Sequence, residues 1–199
     1  MPPLARASSF ALTRPGVDRL ERRLRTEESR LRTALGERTL AGPVCAVAFI
    51  YVHQPPAVPV VAHAYALTRA ALDAAFERHG DEQALWVLWS PADWDHTDLL
   101  SWPSDDILDE AERLAKQLKR ARCKDPEGAF ICELAYRVAR SDWTDVMAVT
   151  DDFASWAMEH EETPDIFETF RVTATPEAIS TYTARGWLRF PDEFFSLQP

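Results

Sequence analysis

The sequence predicts an α+β domain: a mixed, mainly antiparallel sheet with helices packed on it. Two observations carry this. Two strand-length apolar runs, 44–52 and 58–66, flank a His-Gln-Pro-Pro break at 53–56, the pattern of a hairpin. Segments with apolar residues at helical spacing lie on both sides of them. The chain has 199 residues and 46% hydrophobic content, enough to bury one core without disulfide or metal staples. We read residues 1–15 as a flexible N-terminus and 16–199 as one domain with an aromatic C-terminal tail. The first seventeen residues contain two Arg and no acid, faintly like a transit peptide, but a frayed terminus is the simpler reading.

The first helix is expected over 18–37. Val17, Leu20, Leu24, Leu31 and Leu35 form its apolar stripe, and Gly36 stops it. Six arginines between 19 and 32 share its other faces with Glu21, Glu27 and Glu28. That cluster reads as a solvated face with i, i+4 pairs, the other reading being a contact for an acidic partner or RNA. Val44–Val52 is apolar at nearly every position, which suits a strand covered on both faces. Val58–Ala66 follows as an edge or irregular strand, because Pro59 lacks a backbone donor.

Thr68 caps a helix over 69–79 that Gly80 ends. Ala84–Ser90 reads as a third strand, with Trp86 and Trp89 on opposite faces and Pro91 as its stop. Residues 92–104 form a loop anchored by Trp94 and Trp102. Helices are expected over 105–122 and 126–140. The first has acids in its opening turns and bases in its last, as the helix dipole favours. Asp145–Thr150 reads as a fourth strand ending at Asp151–Asp152. Thr175–Pro176 opens a last short helix closed by Gly186. Trp187, Phe190, Phe194 and Phe195 form a tail that docks on the core.

Several functions are excluded by what the residues do not offer. The six glycines are too scattered for a phosphate-cradling loop. There is no GxSxG elbow, no HExxH and no CxxC pair. Cys45, Cys123 and Cys132 read as reduced thiols of a cytoplasmic protein, with Cys45 in the core. No apolar run reaches the roughly 18–20 residues needed to span a bilayer. The net charge of −10 disfavours nucleic acid and anionic membranes as partners unless a local basic patch overrides the total.

What remains is acidity in one place. Residues 141–170 hold nine acids and no Lys or Arg, interleaved with Trp143, Phe153, Trp156, Phe167 and Phe170. An acidic surface with aromatic anchors suits a basic protein partner. The partner-binding residues singled out are Asp151, Asp152, Trp156, Glu159, Glu161 and Glu162. We expect Trp156 to be partly accessible and Phe170 buried. The alternative is a metal-assisted hydrolase or transferase using Asp151 and Asp152 with His96 or His160. Asp95–His96 is a weaker acid–base pair, since adjacent side chains seldom face each other. His53 and His63 read as structural. No catalytic residue and no cofactor is assigned.

LWSPADW at 88–94, VMAVTDDFASW at 146–156 and TPEAISTY at 175–182, with the strand-hairpin-helix start, resemble an uncharacterised bacterial family, domain-of-unknown-function family four-three-zero-three. The resemblance covers about residues 16–188. It departs at Val61–Leu67, which lacks a polar Asn-Thr step and keeps only Thr68. It implies a bacterial cytoplasmic α+β domain and assigns no reaction. The resulting expectation is a non-enzymatic, acidic protein-binding domain of the immunity or toxin-neutralising type. The leucine stripe of 18–37 approximates a heptad only briefly, so the chain reads as a monomer or weak dimer.

Overall fold

In the computed structural model, residues 12–51, 58–159 and 166–189 are described. The fold is α+β, with a three-stranded mixed sheet in the order β2-β1-β3. The described elements are α1 (Arg14–Gly36), β1 (Val44–Tyr51), β2 (His63–Thr68), α2 (Arg69–Trp89), α3 (Asp105–Arg120), α4 (Pro126–Val138), β3 (Val149–Glu159), α5 (Ile166–Thr173) and α6 (Pro176–Ala184). β1 pairs antiparallel with β2 and parallel with β3.

The both-faces-apolar reading of β1 holds, and the reason is visible in the core. Val47 and Phe49 join a cluster with the leucines of α1 and the apolar faces of α3 and α4. Cys45, Ala46 and Ala48 join a second cluster with α2, α5 and α6. Alternate residues of a strand point to opposite faces, so the sheet has helices on both sides. Cys45 and Ala46 break the alternation because both pairings shift register between Val44 and Ala46. On the β3 side the shift is large: Val44 pairs with Val149, yet Ala46 pairs with Ala154. Residues 150–153 therefore bulge out of the ladder, a feature that re-aims side chains.

Two predicted strands are corrected. Residues 84–89 are helical and form the second half of α2, so Trp86 and Trp89 do not face opposite sides of a strand. A run apolar on all sides carries no period, and burial on one helix face looks the same in sequence. Gly80 breaks α2 with φ 75° and ψ 177°, then the helix restarts. Residues 144–146 form a turn, and the strand runs from Val149, so Asp151–Asp152 lies in the opening of β3 instead of ending a strand. β2 likewise begins at His63 instead of Val58. The N-terminus over residues 1–11, His53, His160 and Phe190, Phe194 and Phe195 lie outside the described residues.

Trp89 is the hub of the second core. Its ring packs against Trp156, Phe167 and Phe170 at centroid distances of 5.1, 4.9 and 5.4 Å. Its Nε1 donates to the Trp187 carbonyl at 2.8 Å, which docks the C-terminal segment as expected. Trp94 anchors its loop by donating to the Val87 carbonyl at 2.8 Å. Trp102 does not anchor anything: it is 66% exposed.

The arginine-rich helix also buries charge. Arg23 and Glu27 are fully buried and ion-paired, and Arg30 adds a 2.6 Å bond to Glu27. Burial pushes the Glu27 carboxyl above its ordinary value against the pull of both arginines. Trp156 is fully buried, so Trp156→Ala should lower unfolding stability by about 3–5 kcal/mol in urea titrations. A loss under ~1 kcal/mol would contradict its place in the core.

Candidate functional site

The bulge in β3 opens a cleft of about 560 Å³ lined by Arg69, Asp73, Asp151, Asp152, Glu177 and Arg185, with Thr150 and Thr181. Its construction follows from local rules. Arg69 is the first helical residue after β2, and Asp73 sits one turn on along the same face. Glu177, Thr181 and Arg185 repeat at intervals of four along α6 and its C-terminus, which again shares one face. Thr175 caps α6 by accepting from the Ala178 amide at 3.2 Å.

Asp152 is the buried centre. It is 5% exposed. Arg69 donates to its Oδ1, and Arg185 lies 3.3 Å from its Oδ2. Burial alone would raise the carboxyl, but the Thr150 hydroxyl and Arg69, with Arg185 beyond, outweigh it and hold the group below its usual value. The Trp187 ring lies under both cations, 4.5 Å from the Arg185 guanidinium and 5.7 Å from that of Arg69. The Tyr182 hydroxyl is buried nearby, and burial drives its acidity well down. Cys45, buried below Arg69 and Asp152, has its thiol pushed up to about 12 by burial, which makes it inert as a nucleophile.

Asp95 has a structural task. It accepts from the Thr68 amide at 3.0 Å and from the Thr68 hydroxyl at 2.5 Å, placing a negative charge at the start of α2. The Thr68 hydroxyl in turn accepts from Ala71, as the cap reading required. His96 Nε2 lies 3.6 Å from the same carboxylate, and its backbone pairs with Ala66. Asp95 is thus committed to the cap, not free to orient a general base. His63 is exposed on β2.

Asp151, Asp152, Trp156 and Glu159, the four described residues of the six singled out for partner binding, do not form one surface. Asp151 is exposed at the cleft, whereas Asp152 is buried and paired. Trp156 is fully buried, against the expected accessibility, because the second core closes over it from α2 and α5. Phe170 is fully buried as expected, Phe153 is buried at 6% exposure, and Phe167 is half-buried. Glu159 ends β3; from Ala154 to Glu159 the strand runs about 16 Å at ~3.3 Å per residue. Glu161 and Glu162 lie outside the described residues. Sequence reading missed Arg69, Asp73, Glu177 and Arg185. The one available signal was Arg69, the single cation in the apolar stretch 58–72.

For the metal alternative, the arginines matter most: a cation at Asp152 would have to displace two guanidiniums. Among the described residues no group of three or more His, Cys, Asp or Glu side chains is placed to hold an ion.

At the opposite end of β3, Glu159 faces a second acidic group. Asp125 caps α4 by accepting from the Gly128 amide at 2.9 Å. A Cβ on Gly128 would collide with that carboxylate and stand 2.7 Å from the Tyr51 hydroxyl, so only glycine fits. Glu127 is 8% exposed, and burial, then the charges of Asp125 and Glu159, push its carboxyl up to about 7.

Two measurements follow. Asp152→Ala leaves Arg69 and Arg185 without their anion and should cost about 3–5 kcal/mol in urea titrations, and an unchanged midpoint would show the clamp to be idle. Glu127 is raised from 4.5 to about 7, so its stabilising contribution is fully present below 4.5 and is lost as pH rises through 7. Glu127→Gln should remove that fall between pH 5 and pH 8, and parallel wild-type and variant curves would refute the assignment.

No helix among the described residues is long and apolar enough to cross a membrane. No family model, curated protein or solved structure matches the chain.

Proposed function

We propose that the chain is a non-enzymatic, acidic protein-binding domain whose cleft receives a cationic group of a basic protein partner, in the manner of an immunity or toxin-neutralising protein. The observation that carries this is the division of charge inside the cleft. The two arginines are taken up by the buried Asp152. Asp73, Asp151 and Glu177 stay exposed around them. The lining thus holds four carboxylates against two guanidiniums, and a guest meets three of the carboxylates exposed, on a chain whose net charge of −10 steers a basic partner inward. The three free thiols suit a reducing compartment, and with the family resemblance they favour a bacterial cytoplasm.

The test uses an oligo-arginine peptide as the probe, titrated into the full chain by calorimetry at low and moderate salt. Binding should weaken steeply with salt. Exposed pairs contribute ~0.2–1 kcal/mol each, so Asp73→Asn, Asp151→Asn and Glu177→Gln together should weaken binding by roughly 3- to 150-fold. The matched set Asp105→Asn, Asp106→Asn and Asp109→Asn, on the exposed start of α3, should leave it unchanged. No binding at low salt, or equal losses from both sets, would overturn the proposal.

A further inference from the structure

A second, larger depression lies on different elements. It is a groove of about 770 Å³ between α1 and the loop at 98–101, and Arg22, Arg25, Arg30 and Arg38 line it. Thr26, Ser29 and Thr33 stand between them on the same face of α1, and Ser101 faces them from the loop. The positions 22, 26, 29 and 33 follow helical spacing, so the stripe is a straight track of donors, with the acid Glu37 at its end. Along α1, from Arg22 to Gly36, it extends about 21 Å at ~1.5 Å per residue.

The i, i+4 pairing expected of this helix does form, but elsewhere. Glu21 pairs with Arg137, Glu27 with Arg23 and Arg30, and Glu28 with Arg32. These acids are spent on the core-facing and flanking sides. In the groove, Arg25 makes no ion pair among the described residues. Among the described residues Arg22 reaches Glu110 only at 3.9 Å and is 66% exposed, and Arg38 donates only to the Asp98 carbonyl at 3.3 Å. Glu37 and Asp98 are the two acids in the lining. Arg30 fastens the opposite wall by donating to the carbonyls of Val61 and Ser101. The groove is thus braced, and its remaining arginines are free to meet a ligand.

Next to the lining residue Ser101 stands Trp102, 66% exposed and the most exposed large apolar side chain among the described residues. A basic track followed, one residue along the chain from its wall, by an open aromatic ring offers the two contacts that bind nucleotides: guanidiniums meet phosphates and a ring stacks on a base. An acidic protein segment would use the arginines but has no need of the ring. We propose that this groove binds a nucleoside phosphate, either as a free nucleotide or as part of a single strand. It is the local basic patch that overrides the net charge of −10.

The experiment measures anisotropy of a fluorescein-labelled oligothymidylate with the full chain at ~100 mM salt, where the Debye length of about 10 Å screens the distant acids. Unlabelled ADP and a polyglutamate peptide serve as competitors. Saturable binding is expected. Arg25→Glu with Arg38→Glu should weaken it at least tenfold. Trp102→Ala should weaken it by roughly 5- to 150-fold, the range for loss of one stacked base. Both sites are exposed, and unchanged thermal melting will show that the variants fold. If ADP binds directly with the same losses, the ligand is a free nucleotide; if only the oligonucleotide binds, it is a strand. Absence of binding by both probes, indifference to the arginine variants, or indifference to Trp102→Ala with equal displacement by polyglutamate would overturn the proposal.

Discussion

A carboxylate removed from water loses several kcal/mol of hydration unless cations and hydrogen bonds replace it. Asp152 meets that demand with Arg69 from the start of α2 and Arg185 from the end of α6, and much else is arranged around the exchange. The register shifts on both sides of β1 put the bulge of β3 and the first turn of α2 at one level. The Thr68–Asp95 cap fixes where α2 begins and so where Arg69 emerges. Trp187 supports both guanidiniums and at the same time takes the hydrogen bond of Trp89. Charge pairing in the cleft and aromatic packing beneath it are parts of one assembly.

The two faces of the sheet use different means to the same end. On the face covered by α2, α5 and α6, large rings interlock: Trp89, Trp156, Phe170 and Tyr182 contact one another in tilted and edge-on arrangements. On the other face, aliphatic residues of α1, α3 and α4 dominate, and a buried ion pair is set among them. Ring contacts of this kind add about 0.5–1.5 kcal/mol each beyond their burial. The ion pair offers no such surplus. Its two partners stand one turn apart on α1, so each neutralises the other's buried charge within a single helix.

Helices whose apolar residues fall on one stripe between caps were legible: α1, α3, α4 and α6 appear where Leu24, Leu114, Phe130 and Thr175 place them. β1 was legible because nothing polar interrupts it. The second half of α2 was not, because Leu85, Trp86, Val87 and Leu88 are apolar in every direction and show no period. The acidic pair Asp151–Asp152 stood out in the sequence, but its environment did not. The partners of Asp152 lie 83 residues before it along the chain at Arg69, and beyond two further helices at Arg185. A bulge is set by how three strands meet, so no local pattern announces it. Trp156 misled for the same reason: acids surround it in sequence, while in space its neighbours are Trp89, Trp94 and Phe170.

The bond from Trp89 to the Trp187 carbonyl joins positions 98 residues apart. Synthesis proceeds from the N-terminus, so this fact orders events in time. The layer of α1, α3 and α4 can gather on β1 while translation continues. The aromatic layer has no lid, and Asp152 has only one of its two cations, until residues 185–187 have been made and have reached solvent. Until then Trp89 and Trp156 are open to whatever apolar surface is near. A chain stalled upstream of that point exposes a cluster of adhesive rings, which residues 185–187 then cover.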